Sequence, residues 1–311
     1  MKDIVLRLVN LTKKFGSLIA VNNLNIEVNR GEIFGFLGPN GAGKTTTIRM
    51  IVGLIKPTSG FVEIDGINIQ KDFLGGIKRI GAIVESPAFY PYFSGRKNLE
   101  ILLDISNSGL SGKEKQKRIS ELLARVNLED RGKDKVSSYS QGMKQRLGIA
   151  GALIAEPEII ILDEPTNGLD PAGMKEIREL IKNLARDKDI SVFLSSHLLN
   201  EVEQICDRVG IIDKGNLISL GEVKSLLKRS FENFVIVVNN AEKIFNDLKN
   251  EKWIIDVKIR KDREIHIKID CRYSEKLGSL LHDKGIYPEE ITKVSETLEE
   301  YFLRVTTQKY E

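Results

Sequence analysis

The stretch Gly38-Pro39-Asn40-Gly41-Ala42-Gly43-Lys44-Thr45 restricts what this chain can fold into more than any other. It fits G-x-x-x-x-G-K-[ST] at every fixed position and follows the apolar, strand-like run Ile33-Phe34-Gly35-Phe36-Leu37. Residues 46–54 read as a helix. Strand, glycine loop and helix in this order form a phosphate cradle. The glycines let the backbone curl with its N–H groups inward, and the helix N-terminus adds partial positive charge. Lys44 is expected to reach the β- and γ-phosphates of a nucleoside triphosphate, and Thr45 to offer its hydroxyl to Mg²⁺. Gly38, Pro39, Asn40, Gly41, Ala42, Gly43 and Thr46 complete the expected binding loop.

A second apolar run, Ile159-Ile160-Ile161-Leu162, ends in Asp163-Glu164. Such a run reads as a buried strand of a parallel sheet, and open α/β sheets bind ligands at the C-terminal edges of their strands. One carboxylate there can hold Mg²⁺ while the other handles water. Asp163 is assigned the ion and Glu164 the water. A third run, Ile190-Ser191-Val192-Phe193-Leu194, ends in Ser195-Ser196-His197 and brings one of only three histidines to the same kind of edge.

A glycine loop with a carboxylate pair would suit a kinase, a GTPase, a helicase or a motor. The turn Tyr139-Ser140-Gln141-Gly142-Met143 separates them, because with it residues 9–221 resemble the ATP-binding cassette family. The resemblance implies an α/β P-loop NTPase cassette with a helical subdomain at about 86–155, binding ATP and Mg²⁺. It also implies particular roles. Phe15 stacks on adenine, Glu164 is the general base, and His197 fixes the γ-phosphate. The turn departs from the family's Leu-Ser-Gly-Gly-Gln at three positions and keeps Ser140 and Gly142. In the family this turn faces the nucleotide held by the opposite cassette, so Ser140, Gln141 and Gly142 are expected to bind in trans within a homodimer. Ser140 also suits a plain helix N-cap. Asn167-Gly168-Leu169-Asp170-Pro171 resembles the family loop that lines the interface between cassettes, which implies such a place for Asp170, and Asp170 too suits a helix cap.

One departure concerns Glu85, in Ile83-Val84-Glu85-Ser86-Pro87, where the family carries glutamine. A carboxylate there can still coordinate Mg²⁺, but it adds negative charge near the γ-phosphate and could accept a proton. Together with the altered turn it resembles the branch serving efflux of peptide antibiotics such as bacitracin and lantibiotics.

The 47 basic and 44 acidic residues nearly cancel, so composition makes no case for nucleic acid as a partner. Cys206 and Cys271 lie far apart with no metal-like spacing, which suits a reducing compartment. The N-terminus has no uninterrupted apolar signal region, and no apolar run approaches the roughly 20 residues that span a bilayer. The expectation is a soluble cytoplasmic chain, peripheral on the membrane through a separate transmembrane permease. The clustered rings of Phe89-Tyr90-Pro91-Tyr92-Phe93 suit either a docking anchor for that partner or core packing.

Two domains are expected, the cassette at 1–221 and an accessory α+β domain at 222–311. In the latter, strand 234–238, helix 241–250, alternating Ile255/Val257/Ile259 and Ile265/Ile267/Ile269 around a Lys261-Asp262-Arg263 turn, helix 274–284 and strand 286–294 give the order βαββαβ of a ferredoxin-like unit. A terminal helix is expected at 295–305. The function so implied is an ATP-hydrolysing transporter subunit, exporting rather than importing. The alternative is a soluble cassette ATPase that remodels ribosomes or nucleic acid. Against it, the long coiled coil of repair cassettes and the paired ATP modules of translation cassettes are both missing here.

Overall fold

The computed structural model describes residues 3–106, 109–188, 190–227, 231–249, 251–261, 263–294 and 297–307. The chain opens on two long strands, β1 (Ile4–Phe15) and β2 (Leu18–Asn29), followed by β3 (Ile33–Leu37) and α1 (Lys44–Ile51). Next come β4 (Ser59–Ile64), β5 (Ile67–Asn68), α2 (Phe73–Ile77) and β6 (Ile80–Ile83). Helices α3 (Gly95–Ile105), α4 (Gly112–Arg125) and α5 (Gln141–Ala152) then run without an intervening strand. The chain returns through β7 (Ile159–Asp163), α6 (Pro171–Lys188), β8 (Ser191–Ser196), α7 (Leu199–Ile205), β9 (Arg208–Asp213) and β10 (Asn216–Glu222).

These strands form two sheets. The first is antiparallel, ordered β2-β1-β4-β5, and the second is ordered β10-β9-β3-β8-β7-β6, parallel except for β10. β3, β7 and β8 are buried at every residue, which is why they read as unbroken apolar runs with no alternation. Phe34 and Phe36 on β3 pack against Phe193 on β8, each with ring centroids 5.5 Å apart, tying the central strands into the core that β1, β2 and β4 cover. Gly35 lets α7 come close, since a Cβ there would sit 2.6 Å from a Val202 methyl.

Some boundaries differ from expectation for local reasons. The helix expected at 46–54 starts at Lys44 and stops at Ile51. Gly53 takes a left-handed φ of 71°, and the amides of Gly53 and Leu54 return to the carbonyls of Met50 and Arg49, a closure that ends the helix. The strand expected at 190–194 runs from Ser191 to Ser196, because Ser195 and Ser196 still pair with Phe36 and Leu37 of β3.

A second compact unit spans Lys224–Leu303. After α8 (Val223–Leu226) it contains β11 (Phe231–Val237), α9 (Ala241–Lys249), β12 (Ile254–Lys261), β13 (Glu264–Asp270), α10 (Ser274–Asp283) and β14 (Glu290–Val294), and it ends within α11 (Leu298–Thr307). Its antiparallel sheet is ordered β12-β13-β11-β14, so the first and third strands lie centrally, as in a ferredoxin-like unit. Ile236, Ile265, Ile267 and Ile269 bury one face against Leu248, Leu277 and Leu281. The last strand is shorter than expected, because Ile286 drops into this core before β14 begins. Asn250, Asp262 and Ser295, which fall within the expected helices and turn, lie outside the described residues.

Candidate functional site

The loop between β3 and α1 closes over its own lysine. Gly43 caps α1 at φ 109°, a conformation that L side chains rarely adopt, and a Cβ on it would sit 2.5 Å from the Ala20 carbonyl oxygen. No side chain caps this helix start, which leaves first-turn N–H groups available to an anion. Lys44 is buried, and its Nζ donates to the carbonyls of Gly38 at 2.7 Å and Pro39 at 3.3 Å. Thr47 anchors the turn by donating to the Gly43 carbonyl at 2.9 Å.

Glu164 follows β7 in a left-handed conformation, φ 50°, and its two oxygens face different partners. Oε1 lies 3.3 Å from Lys44 Nζ, and Oε2 lies 2.7 Å from His197 Nδ1. Asp163 is buried, and the Ser195 hydroxyl donates to its Oδ1 at 2.5 Å while accepting from the Glu164 amide at 3.0 Å. Ser195 therefore holds the Asp163 carboxylate and the Glu164 backbone together. Sequence reading passed over it, although the β7–β8 register that pairs Asp163 with Ser195 accounts for the contact.

A cavity of about 720 Å³ gathers Phe15, Pro39, Asn40, Gly41, Gly43, Lys44, Thr45, Thr46, Glu164 and His197. This volume is in the range of small-molecule sites. Phe15 is half exposed at its edge, with Lys13 Nζ 5.1 Å from the ring centroid. Leu18, Ile19, Asn167, Lys214 and Gly215 also line it. Gly38 and Ala42 support the loop from behind, where a Cβ on Gly38 would sit 2.3 Å from the Ile212 carbonyl oxygen and 3.1 Å from the Ala42 methyl.

Other candidates sit elsewhere. Ser140 caps α5, its hydroxyl accepting from the Met143 amide at 3.2 Å, and Gln141 and Gly142 follow it in the first turn. Asp170 caps α6 through the Gly173 amide at 3.0 Å. Glu85 is not on the cavity wall, and its carboxylate pairs with Arg49 of α1. Tyr139, standing where the family turn has leucine, is buried, and its hydroxyl donates to the Arg131 carbonyl at 2.7 Å. Burial pushes its phenol above the usual range.

The donor set suits a substrate-held Mg²⁺. Among the described residues no cluster of three His, Cys, Asp or Glu could cage an ion. Thr45 lines the cavity and Asp163 is buried at the end of β7 outside its lining; a carboxylate and a threonine hydroxyl are the kind of oxygen donors that Mg²⁺ supplements with substrate oxygens and water.

The aromatic segment 89–93 is surface. Tyr92 is 81% exposed and Tyr90 59%, so core packing does not explain it. Asn98 of α3 fixes its shape, since its side-chain amide bonds both the amide and the carbonyl of Tyr90. Beside it lies a cavity of about 350 Å³ between β6 and α5, lined by Ala82, Val84, Phe89, Leu102 and Gly151. Among the described residues no helix is long and apolar enough to cross a membrane.

Comparison with known proteins agrees with this geometry. The ABC transporter family matches residues 21–167. The bacitracin transport ATP-binding protein BcrA of Bacillus licheniformis is 44% identical over 301 residues, covering 97% of each chain. The lantibiotic transport ATP-binding protein SrtF of Streptococcus pyogenes is 36% identical over 246 residues, covering 78% of this chain and 96% of its own. The ATP-binding cassette MJ0796, in a dimeric post-hydrolysis state with ADP and Pi, superposes with a TM-score of 0.63 at 30% identity over 70% of this chain and 98% of that one. Cradle, carboxylate pair and whole-length similarity converge: the chain belongs to the ABC transporter ATP-binding proteins, ATPases whose hydrolysis is coupled to transport.

Proposed function

We propose that this chain energises export of a peptide antibiotic or related drug by a separate transmembrane permease, acting as a homodimer on the cytoplasmic face of the membrane. The observation that carries the reading is the carboxylate of Glu164, held between Lys44 and His197 on the wall of the phosphate cavity. Similarity to bacitracin and lantibiotic transport proteins supports the substrate class.

In this reading Gly38, Pro39, Asn40, Gly41, Ala42, Gly43, Thr45 and Thr46 wrap the phosphates of ATP, and Phe15 stacks on the adenine. Lys44 exchanges its carbonyl partners for β- and γ-phosphate oxygens. Glu164 takes a proton from the attacking water, and His197 orients both Glu164 and the γ-phosphate. Asp163 and Thr45 would hold Mg²⁺, with Glu85 as a further acidic neighbour. When bound, the ion neutralises charge that develops on the transferred phosphoryl group. Ser140, Gln141, Gly142 and Asp170 complete the site of the opposite chain. None of the four lines the cavity of its own chain, which supports that role.

We assign residues 1–221 to the cassette, with 86–155 as its helical subdomain, and 222–311 to an accessory domain. The permease docks at the groove beside the exposed rings of Tyr90 and Tyr92. Purification from native membranes in detergent tests the proposal. It predicts a membrane protein in stoichiometric amount, whereas stoichiometric nucleic acid in its place would overturn it.

A further inference from the structure

We propose that Arg49 is a positioning residue for Glu85, compensating the charge that distinguishes this chain at a position the family fills with an amide. The proposal rests on the reading of Glu85 as the link between the nucleotide site and the permease.

In the parallel sheet, β6 and β7 are neighbours, and Ile83 pairs with Leu162. Glu85 and Glu164 each lie two residues past that pair, so the two strands deliver one carboxylate each at the same level. Both residues are left-handed, at φ 66° and 50°. A side chain with a Cβ adopts that conformation at an energetic cost, and it persists where the surroundings over-determine it. Glu164 is held by the Ser195 hydroxyl on its amide and by Lys44 and His197 on its carboxylate. Glu85 is held by Arg49.

Both cations belong to one helix. Lys44 opens α1 and Arg49 stands in its last turn. The element that binds phosphate at its N-terminus therefore carries a partner for each carboxylate, and Arg49 ties it directly to the loop that leads from β6 into the helical segment. Guanidinium suits this task, because its planar fork restricts a carboxylate's orientation more than a point charge does. Side-chain exposures of 44% and 62% make the pair a weak contributor to folding, so its value lies in where it keeps Glu85 and how much of that charge the nucleotide site feels.

A double-mutant cycle on the full chain tests this. The four forms are the parent, Arg49→Gln, Glu85→Gln and the double variant, with fluorescent methylanthraniloyl-ATP as the probe, bound in EDTA and again in Mg²⁺. With Glu85 present, Arg49→Gln releases an uncompensated carboxylate and should weaken binding in EDTA by about three-fold or more, with a smaller change in Mg²⁺. In the Glu85→Gln background, the same substitution should change binding by less than about 1.5-fold. Arg49→Lys, which keeps the charge without the planar fork, should restore only part of the affinity. Equal effects of Arg49→Gln in both backgrounds, or none in either, would overturn the proposal, and melting curves of all four forms exclude a folding defect. The coupling reading fails separately. If Glu85→Gln keeps full permease stimulation of the ATPase while the cycle shows interdependence, the link to the permease is wrong and the role of Arg49 stands. If stimulation is lost and the cycle shows none, the reverse holds.

Discussion

Glu164 is defined at the residue scale by what each of its oxygens meets, Lys44 Nζ on one and His197 Nδ1 on the other. In the proposed role of general base, a carboxylate held by two partners is aimed at its water, so removing its charge should affect chemistry more than binding. Glu164→Gln is expected to slow ATP hydrolysis by roughly 10²–10⁴ while leaving nucleotide binding nearly intact, as read by single-turnover assay and filter binding. Near-parental turnover would remove Glu164 from the base role. Ser195 gives a second residue-scale prediction. Its hydroxyl bridges Asp163 and the Glu164 amide, so Ser195→Ala should reduce apparent Mg²⁺ affinity by about 10–100-fold in a metal titration, the usual effect of losing a supporting hydrogen bond at a metal carboxylate. An unchanged titration would make Ser195 a packing residue only. Glu164 and Lys44 were legible because their motifs lie contiguous in sequence. Ser195 was not, because its partners come from the neighbouring strand.

At the scale of elements, α5 shows how a departure from a family motif is absorbed. Tyr139 fills a buried position, and its hydroxyl satisfies the Arg131 carbonyl. Gly95 at the start of α3 makes room, since a Cβ there would lie 2.4 Å from the Tyr139 hydroxyl oxygen. The turn can thus lose its leucine and still launch α5 from Ser140, whose hydroxyl caps the Met143 amide. In the proposed reading this helix start serves the site of the opposite chain. Mixing Lys44→Ala chains with Ser140→Arg chains should restore ATPase activity in mixed dimers to at most one of two composite sites, measured against each variant alone. Full activity of either variant alone would refute sharing. The helix caps at Ser140 and Asp170 were legible in sequence, since Ser and Asp before a helical run specify caps locally. The aromatic segment 89–93 was not, because exposure depends on Asn98 fixing the loop from α3.

At the scale of the molecule, the two units have separate cores, one around Phe34, Phe36 and Phe193 and one around Ile236, Ile265 and Ile267. Separate cores imply separable unfolding. Ile267 is 1% exposed, and Ile267→Ala should destabilise the accessory unit by about 2–5 kcal/mol. Calorimetry should then show one lowered transition, while the transition that ATP raises by mass action stays in place. Both transitions falling together would show one cooperative unit. The βαββαβ order of this unit could be read from alternation at every second residue, and the glycine loop and carboxylate strand from contiguous patterns, because burial on one or both strand faces writes itself directly into local sequence. Strand order, the shared level of Glu85 and Glu164, and the pairing of Glu85 with Arg49 were decided only by tertiary structure. Each depends on which strands and helices become neighbours across long stretches of chain, and local periodicity carries no information about that choice.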